Sequence, residues 1–167
     1  RQWVEKLAWD WCISRQRFFG VPFPGWTCAD CGETILADAA DLPVDPLEER
    51  PSRPCPTCQS TDFIPEADVM DTWATSSLSP QIVGQWAFSE SLGKEALYEQ
   101  TYPFSLRPQA HEIIRTWAFY TIAKSWLHFG TLPFKSVAIS GRGLAPAGEG
   151  KISKSKSSSV IGPMEMI

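Results

Sequence analysis

A run of lysine and serine residues near the carboxyl end of the sequence has the chemistry of an anion-binding loop. Gly150-Lys151-Ile152-Ser153-Lys154-Ser155-Lys156 follows an apolar segment of strand length. Each lysine presents three N–H donors on a compact point charge, which suits a polyanion whose charge grows during a reaction. A solvated Ser/Lys linker has the same composition, so the run alone leaves both interpretations open.

Four of the five cysteines form two C-x-x-C pairs. Cys28 and Cys31 make the first pair, Cys55 and Cys58 make the second, and 23 residues separate them. Each pair offers two thiolates from one tight turn, and two pairs make the tetrahedral four-sulfur site that zinc prefers. The alternatives are two disulfides, which are rare in cytosolic enzymes, or four unrelated buried cysteines. Because protein fills all four positions, we predict a structural Zn²⁺ rather than a catalytic one. Cys12 is predicted to be buried in a strand.

The net charge of −4 is unevenly distributed along the 167 residues. Residues 28–71 carry eleven carboxylates against Arg50 and Arg53, whereas the remainder carries thirteen basic and eight acidic residues. An anionic partner is therefore expected to bind outside the cysteine-rich region. No apolar run is long enough to span a membrane and no signal-peptide pattern opens the sequence, so we expect a cytoplasmic protein without a membrane partner.

The elements that position these residues are predicted to form an α/β fold with one parallel β-α-β unit. A strand over Tyr102–Arg107, a helix over His111–Phe129 that stops at Gly130, and a buried strand over Phe134–Ser140 fit the hydrophobic pattern. A further strand is expected over Trp9–Ser14. Ligands in parallel sheets bind beyond the carboxyl ends of the strands. The predicted buried helix face consists of Ile113, Ile114, Trp117, Tyr120, Thr121, Lys124 and Leu127.

Several motifs resemble one family. Lys151-Ile152-Ser153-Lys154-Ser155 is similar to the Lys-Met-Ser-Lys-Ser loop of class I aminoacyl-tRNA synthetases. Trp11-Cys12-Ile13-Ser14-Arg15-Gln16-Arg17 resembles the segment that follows the inserted editing domain of these enzymes. Asp68-Val69-Met70-Asp71-Thr72-Trp73 and the stretch from Arg107 to Trp117 resemble the valyl branch. The resemblance covers essentially the whole chain.

This resemblance implies a particular architecture. The chain would be the C-terminal half of a Rossmann-like nucleotide-binding fold with a small zinc-knuckle insert. Residues 1–24 would follow the editing domain, residues 25–66 would form the insert, and residues 67–167 would complete the fold and include the lysine loop. The His-Ile-Gly-His signature that also holds ATP in this family is absent. The 167 residues alone are therefore expected not to aminoacylate, and the parent enzyme is expected to be a monomer.

The resemblance also implies residue roles in a two-step reaction. Valine and ATP, with Mg²⁺, would give valyl-adenylate and pyrophosphate, and valine would then pass to tRNA(Val). Lys154 and Lys151 would contact the departing pyrophosphate, and Ser153 would donate a hydrogen bond. Glu112 would bind the ribose, while His111 and Gln109 would lie near the nucleotide. Positions that line the valine side-chain pocket in the family are matched by Trp73, Ile113 and Trp117.

Three other interpretations can be weighed on the residues. A P-loop nucleotidase requires glycine at Ala145 and Ser or Thr at Ile152, so that pattern fails. A zinc-ribbon interaction module without catalysis would explain Cys28 to Cys58 but not the lysine loop. An isoleucyl or leucyl synthetase is disfavoured by the Asp71-Thr72-Trp73 sequence and the serines that follow it.

Overall fold

The computed structural model describes residues 2–7 and 10–141. The chain divides into two compact units, Arg1–Ser76 and Ser77–Ile167. The predicted lysine loop, with Lys151, Ser153 and Lys154, lies outside the described residues. Within the described ranges, no helix combines the length and the apolar character that crossing a membrane requires.

The first unit contains two small antiparallel sheets. Strands β1 (Ser14–Arg15) and β5 (Val69–Met70) pair with Ser14 opposite Met70. In a separate sheet, β2 (Gly25–Cys28) lies between β3 (Thr34–Leu36) and β4 (Phe63–Pro65). A short helix, α2 (Thr72–Ser76), follows β5 directly. The elements are α1 (Gln2–Glu5), β1 (Ser14–Arg15), β2 (Gly25–Cys28), β3 (Thr34–Leu36), a 3₁₀ turn (Ala39–Asp41), β4 (Phe63–Pro65), β5 (Val69–Met70) and α2 (Thr72–Ser76).

The three-stranded sheet has a very small core. Cys28, Ile35 and Cys55 are buried together, and Phe63 packs against them. Trp26 and Val44 are also buried in residues 25–66. This apolar core is still small, and small domains of this kind usually depend on a metal ion or disulfides. Cys28 and Cys55, two members of the buried cluster, are predicted metal ligands.

The second unit is a helical region followed by a parallel strand pair. The last helix, α6, connects the two strands. The elements are α3 (Ser79–Val83), α4 (Ser89–Leu92), α5 (Leu97–Thr101), β6 (Phe104–Ala110), α6 (Phe119–Phe129) and β7 (Phe134–Ser140), with 3₁₀ turns at Trp86–Phe88, Gly93–Glu95 and His111–Ile113 and a π turn at Ile114–Ala118.

The predicted parallel β-α-β unit is present. Phe104 lies opposite Phe134 and Ala110 lies opposite Ser140, so β6 and β7 run in the same direction. The bounds of β7 are as predicted, and Gly130 ends α6 with a φ of 66°, a left-handed conformation that glycine adopts without steric cost. Strand β6 begins two residues later than predicted and continues to Ala110. Arg107, predicted as the last residue of the strand, consequently lies in its interior.

The segment predicted as a helix, His111–Phe129, is helical throughout, but only its second part is a regular α-helix. The segment starts as a 3₁₀ turn, widens into a π turn and becomes α-helical only at Phe119. The π turn accommodates one residue more than a regular turn, which rotates the positions before it around the helix axis by about 100° relative to the α-helical pattern. The buried positions of the helical segment are small residues, Ala118, Thr121 and Ser125. Of the predicted face, Thr121 is buried as expected, whereas Ile114 and Leu127 are exposed.

Three further sequence predictions need correction. Strand β7 is buried only at Phe134; Ile139, for example, is half exposed. Its apolar residues predicted a covered parallel strand, but the described part of the chain provides too little structure to cover both faces of the pair. Of the predicted Trp9–Ser14 strand, Trp9 lies outside the described residues, and residues 10–14 contain strand only at Ser14, the first residue of β1. Cys12 precedes β1 and is exposed, because it lies outside the hydrogen-bonded pair.

Candidate functional site

The four predicted zinc ligands converge at one point of the first unit. The sulfur atoms of Cys28, Cys31, Cys55 and Cys58 all lie within 4.8 Å of one another. The Cys28–Cys58 and Cys31–Cys55 sulfur pairs are each 3.5 Å apart, too far for a disulfide bond of about 2.05 Å. Zinc–sulfur bonds of about 2.3 Å in a tetrahedron separate the sulfur atoms by about 3.8 Å. The observed spacing therefore fits a single tetrahedral metal ion.

The two cysteine turns share one backbone design. In the first, the N–H of Gly32 donates to the carbonyl of Cys28 at 2.9 Å; in the second, the N–H of Gln59 donates to the carbonyl of Cys55 at 2.8 Å. Gly32 and Gln59, which follow the second cysteine of each pair, have positive φ values of 75° and 63°. This left-handed residue closes each turn, so that both cysteines of a pair point to the same side. Glutamine is strained there, whereas glycine is not.

The electrostatics of the cluster favour a cation. The backbone N–H of Cys31 holds the pKa of Cys28 down at about 7. For Cys31, the backbone N–H of Glu33 acts in the same direction, but the neighbouring sulfur of Cys58 and desolvation outweigh it and raise the pKa to about 12. Thiols this close cannot all ionise independently, since each thiolate repels the next. A divalent cation resolves the conflict by stabilising every thiolate at once.

The second unit brings three predicted site residues to the carboxyl end of its strand pair. Gln109 is nearly the last residue of β6, and His111 and Glu112 follow directly in a 3₁₀ turn. The His111 ring contacts the Ser140 carbonyl through Nδ1 at 3.4 Å, and the Ser140 hydroxyl donates to the Gln109 carbonyl at 3.4 Å. These two bonds tie the ends of β6 and β7 together. The residues lie where parallel sheets bind their ligands.

Trp117 is held on two sides within the second unit. The guanidinium of Arg107 lies 3.8 Å from the centre of the indole ring, and the indole N–H donates to the Ser79 hydroxyl at 3.2 Å. A guanidinium over an aromatic face is attracted by the ring electrons, and the attraction grows when water is excluded. Arg107 is 7% exposed, and this burial lowers its pKa. Together, Arg107 and Ser79 fix both the position and the plane of the ring.

Two buried polar atoms on β6 have no hydrogen-bond partner within the part of the chain that the structure describes. Nη1 of Arg107 and Oε1 of Gln109 are both buried, and neither has a hydrogen-bond partner there. Arg107 and Gln109 are two positions apart in β6, so their side chains lie on the same face of the strand. A buried donor and acceptor left unpaired are costly, which makes this face a place where a further polar group belongs.

The predicted site residues that the structure describes fall into three groups. The cysteines are brought together as expected. Gln109, His111, Glu112, Ile113 and Trp117 occupy one continuous stretch of the second unit, whereas Trp73 belongs to α2 in the first. Sequence reasoning missed Arg107 and Asp71, both buried and charged. Arg107 could have been found from the sequence, because it is two positions before Gln109 in the predicted strand and therefore shares its face. Asp71 could not be found from a local pattern, because its partners Trp11 and Arg15 lie 60 and 56 positions away in sequence.

Comparison with known proteins identifies the family. All 167 residues match the family model described as tRNA synthetases class I (I, L, M and V). The chain belongs to this family. Membership excludes a free-standing zinc ribbon as the identity of the chain, because this class I synthetase match extends over every segment and not only over the cysteine pairs.

Three relatives of this synthetase segment are named valine--tRNA ligases. The chain is 53% identical to a valine--tRNA ligase of Thermoplasma volcanium over 92% of its own length. It is 48% identical to that of Haloarcula marismortui and 49% identical to that of Orientia tsutsugamushi, each over 99% of its length. The chain spans about a fifth of the length of these relatives, 18–19%.

A solved class I synthetase has the same fold. The LeuRS of Agrobacterium radiobacter K84 agnB2, in its ternary complex with tRNA and LeuAMS, matches 96% of this chain and 24% of its own with a TM-score of 0.58. The sequence identity is 22%, so the match establishes a shared mixed α/β fold and not a shared substrate.

Proposed function

We propose that the chain is part of the catalytic domain of a valine-activating aminoacyl-tRNA synthetase. The observation that carries the proposal is the identity of 48–53% to valine--tRNA ligases over 92–99% of the chain. The proposed enzyme contains this segment and has about the same length as the relatives; we call it the complete synthetase. The isoleucyl and leucyl alternatives are less well supported, since the LeuRS match is a match of fold at 22% identity.

The proposed reaction has two steps. An oxygen of the valine carboxylate attacks the α-phosphorus of ATP, the bond to the β-phosphate oxygen breaks, and magnesium pyrophosphate leaves. A hydroxyl of the terminal adenosine of tRNA(Val) then attacks the activated carbonyl, and AMP leaves. Enzymes accelerate such chemistry by positioning the reactants and neutralising charge on the departing phosphates. We assign the complete synthetase to the cytoplasm, as a monomer.

Within this enzyme, the chain supplies the second half of a Rossmann-like nucleotide-binding fold. Residues 1–24 and 67–167 belong to the catalytic fold, and residues 25–66 form the zinc-knuckle insert. Support comes from the parallel pair β6 and β7, whose carboxyl ends lie side by side. The exposed apolar residues of β7 are the surface that the first half of the fold is expected to cover.

ATP is proposed to bind at the carboxyl ends of β6 and β7. Glu112 accepts hydrogen bonds from the ribose hydroxyls, and His111 and Gln109 lie against the nucleotide. The unpaired buried Oε1 of Gln109 supports a role in organising polar contacts at this edge. Lys154 neutralises the departing pyrophosphate, Lys151 assists, and Ser153 donates a hydroxyl hydrogen bond. Lysine is suited to this role because its charge is compact and strongly localised.

The valine side chain is proposed to contact Trp73, Ile113 and Trp117. All three are half-buried, as side chains that present one face to a ligand must be. The clamping of Trp117 by Arg107 and Ser79 supports its assignment, since a selective apolar contact requires a ring with one fixed position.

Zinc is proposed to be structural. The four cysteines supply four thiolate ligands, which leaves no coordination position for water or substrate. The metal holds the two cysteine turns together and completes a core that is otherwise too small. No catalytic step depends on it.

Replacing Trp73 with alanine in the complete synthetase should weaken valine activation selectively. Losing a large aromatic contact in a binding site typically costs about 2 kcal/mol, so kcat/KM for valine should fall about thirtyfold while KM for ATP changes less than about twofold. Valine-dependent ATP–pyrophosphate exchange measures both constants. Trp126→Ala, at an exposed position on α6, is the matched control. Unaltered valine kinetics in the Trp73 variant would remove this residue from the valine site.

A further inference from the structure

The segment Trp11–Gln16 matches a family motif but has no role in the function proposed so far. In the structure it holds a buried carboxylate. Oδ2 of Asp71 accepts a hydrogen bond from the indole N–H of Trp11 at 3.0 Å and from Nη2 of Arg15 at 2.6 Å. The backbone N–H of Asp71 also donates to the Ile13 carbonyl at 2.7 Å. Three separate contacts therefore fix Asp71 to this one segment.

The other oxygen of Asp71 points to the helix that carries Trp73. Oδ1 accepts the backbone N–H of Trp73 at 3.2 Å, and the Asp71 carbonyl accepts the N–H of Ala74 at 2.7 Å. This is the arrangement of an N-cap residue, whose side chain satisfies the first free N–H groups of a helix. The cap bond acts on Trp73 itself. The position of its Cα is thereby coupled to Asp71.

The clamp on Asp71 is rigid because its partners are also held. Nη1 of Arg15 donates to the carbonyls of Cys12 and Ser14 at 2.8 and 2.7 Å, so the guanidinium is bonded on two sides. Asp71 is 6% exposed, and a charge-assisted bond at such a site is stronger than one in water. The Arg15 side chain is about one-third exposed, whereas the Asp71 side chain is buried, so loss of the ion pair would leave the Asp71 carboxylate buried without this charged partner.

We infer that Asp71 is a positioning residue for Trp73, held in place by Trp11 and Arg15. The inference rests on the proposed function, in which Trp73 contacts the valine side chain. Through its two oxygens, Asp71 transmits the position of the Trp11–Gln16 segment to the first turn of α2. It touches no substrate in this account, and its effect on catalysis passes through Trp73.

A second carboxylate on the same strand pair provides a matched control. Oδ2 of Asp68 accepts hydrogen bonds from the Ser14 hydroxyl and, at 2.6 Å, from Nε2 of Gln16. Asp68 thus contacts the same segment as Asp71 and has the same charge, but among the described residues its side-chain hydrogen bonds go to Ser14 and Gln16 and not to α2. Losing Asp68 should disturb the strand pair without moving Trp73.

The test compares four variants of the complete synthetase by valine-dependent ATP–pyrophosphate exchange, with thermal unfolding recorded for each. Asp71→Ala should raise KM for valine about tenfold and leave KM for ATP within about twofold, since it removes both the cap and the clamp. Asp71→Asn keeps a capping oxygen and should recover most of the valine affinity. Trp11→Phe, which deletes one N–H donor, should raise KM for valine about threefold. Asp68→Ala should leave it unchanged.

The outcomes separate this inference from the proposed function. If Asp71→Ala and Trp11→Phe both leave KM for valine at the level of Asp68→Ala while Trp73→Ala still raises it, the inference is wrong and the valine site stands. If Trp73→Ala has no effect, the assignment of Trp73 falls and the inference falls with it. Should Asp71→Ala fail to fold, Asp71→Asn and Trp11→Phe decide, because a purely structural role would lower the unfolding temperature without the selective rise in KM for valine.

Discussion

Replacing Cys55 with serine in the complete synthetase should abolish zinc binding and unfold residues 25–66. Besides Cys28 and Cys55, the buried apolar core of this region consists of Trp26, Ile35 and Val44, so we expect the metal to supply much of its stability. Structural zinc sites contribute about 10–16 kcal/mol of apparent binding free energy in small zinc-dependent peptides. Elemental analysis should give about one zinc per chain for the unsubstituted complete synthetase and close to none for the Cys55→Ser variant. The variant should also be cleaved rapidly by protease within residues 25–66.

The matched control is Cys12→Ser, because Cys12 is exposed and lies outside the four-sulfur cluster. It should keep its zinc and its resistance to protease. Zinc affinity should also fall as the pH is lowered, since protons compete with the metal for the same thiolates, and it should fall more steeply below the Cys28 pKa of about 7, where a further thiolate is protonated. If the unsubstituted complete synthetase, purified under reducing conditions, contains no stoichiometric metal, the assignment of a structural zinc site is wrong.

Replacing Lys154 with alanine should give the largest loss of adenylate formation. The lysine is proposed to neutralise pyrophosphate as it departs, and deleting one such transition-state donor costs roughly 2–4 kcal/mol. The kcat of valine-dependent pyrophosphate exchange should therefore fall roughly thirtyfold to a thousandfold, while KM for valine changes little. Rapid-quench measurement of valyl-adenylate reports the same step in a single turnover.

Lys156→Ala is the control for Lys154, because it removes the same charge two positions beyond the residue assigned to the pyrophosphate. A reduction of less than about threefold is expected, as is usual for a solvated charge. Equal losses in the two variants would mean that the loop acts through its overall charge. The specific role assigned to Lys154 would then be wrong.

Local patterns in the sequence predicted the features that depend on local chemistry. The C-x-x-C spacing determined the four-sulfur cluster, because each pair of ligands comes from a single tight turn. The apolar run Phe134–Ser140 and the stop signal at Gly130 gave correct bounds for β7 and for the end of α6. The parallel pairing followed from the length of the connection, since parallel strands need a long crossover.

Features that depend on distant contacts were not predictable in this way. The π turn at Ile114–Ala118 changes the helix register, yet no residue in it differs from those of an ordinary helix. The burial of Arg107 depends on stacking against Trp117 and Phe134 from other elements. The clamp on Asp71 joins residues 56 and 60 positions apart. In each case, tertiary packing overrides what periodicity alone indicates.

The amino-acid dependence of ATP–pyrophosphate exchange by the complete synthetase tests the central claim most directly. With ATP and Mg²⁺ held constant, kcat/KM should be highest for valine, lower for isoleucine and lowest for leucine. A greater kcat/KM for isoleucine or leucine, or the absence of exchange with all three in folded, zinc-containing enzyme, would contradict the assignment of this chain to a valine-activating catalytic domain.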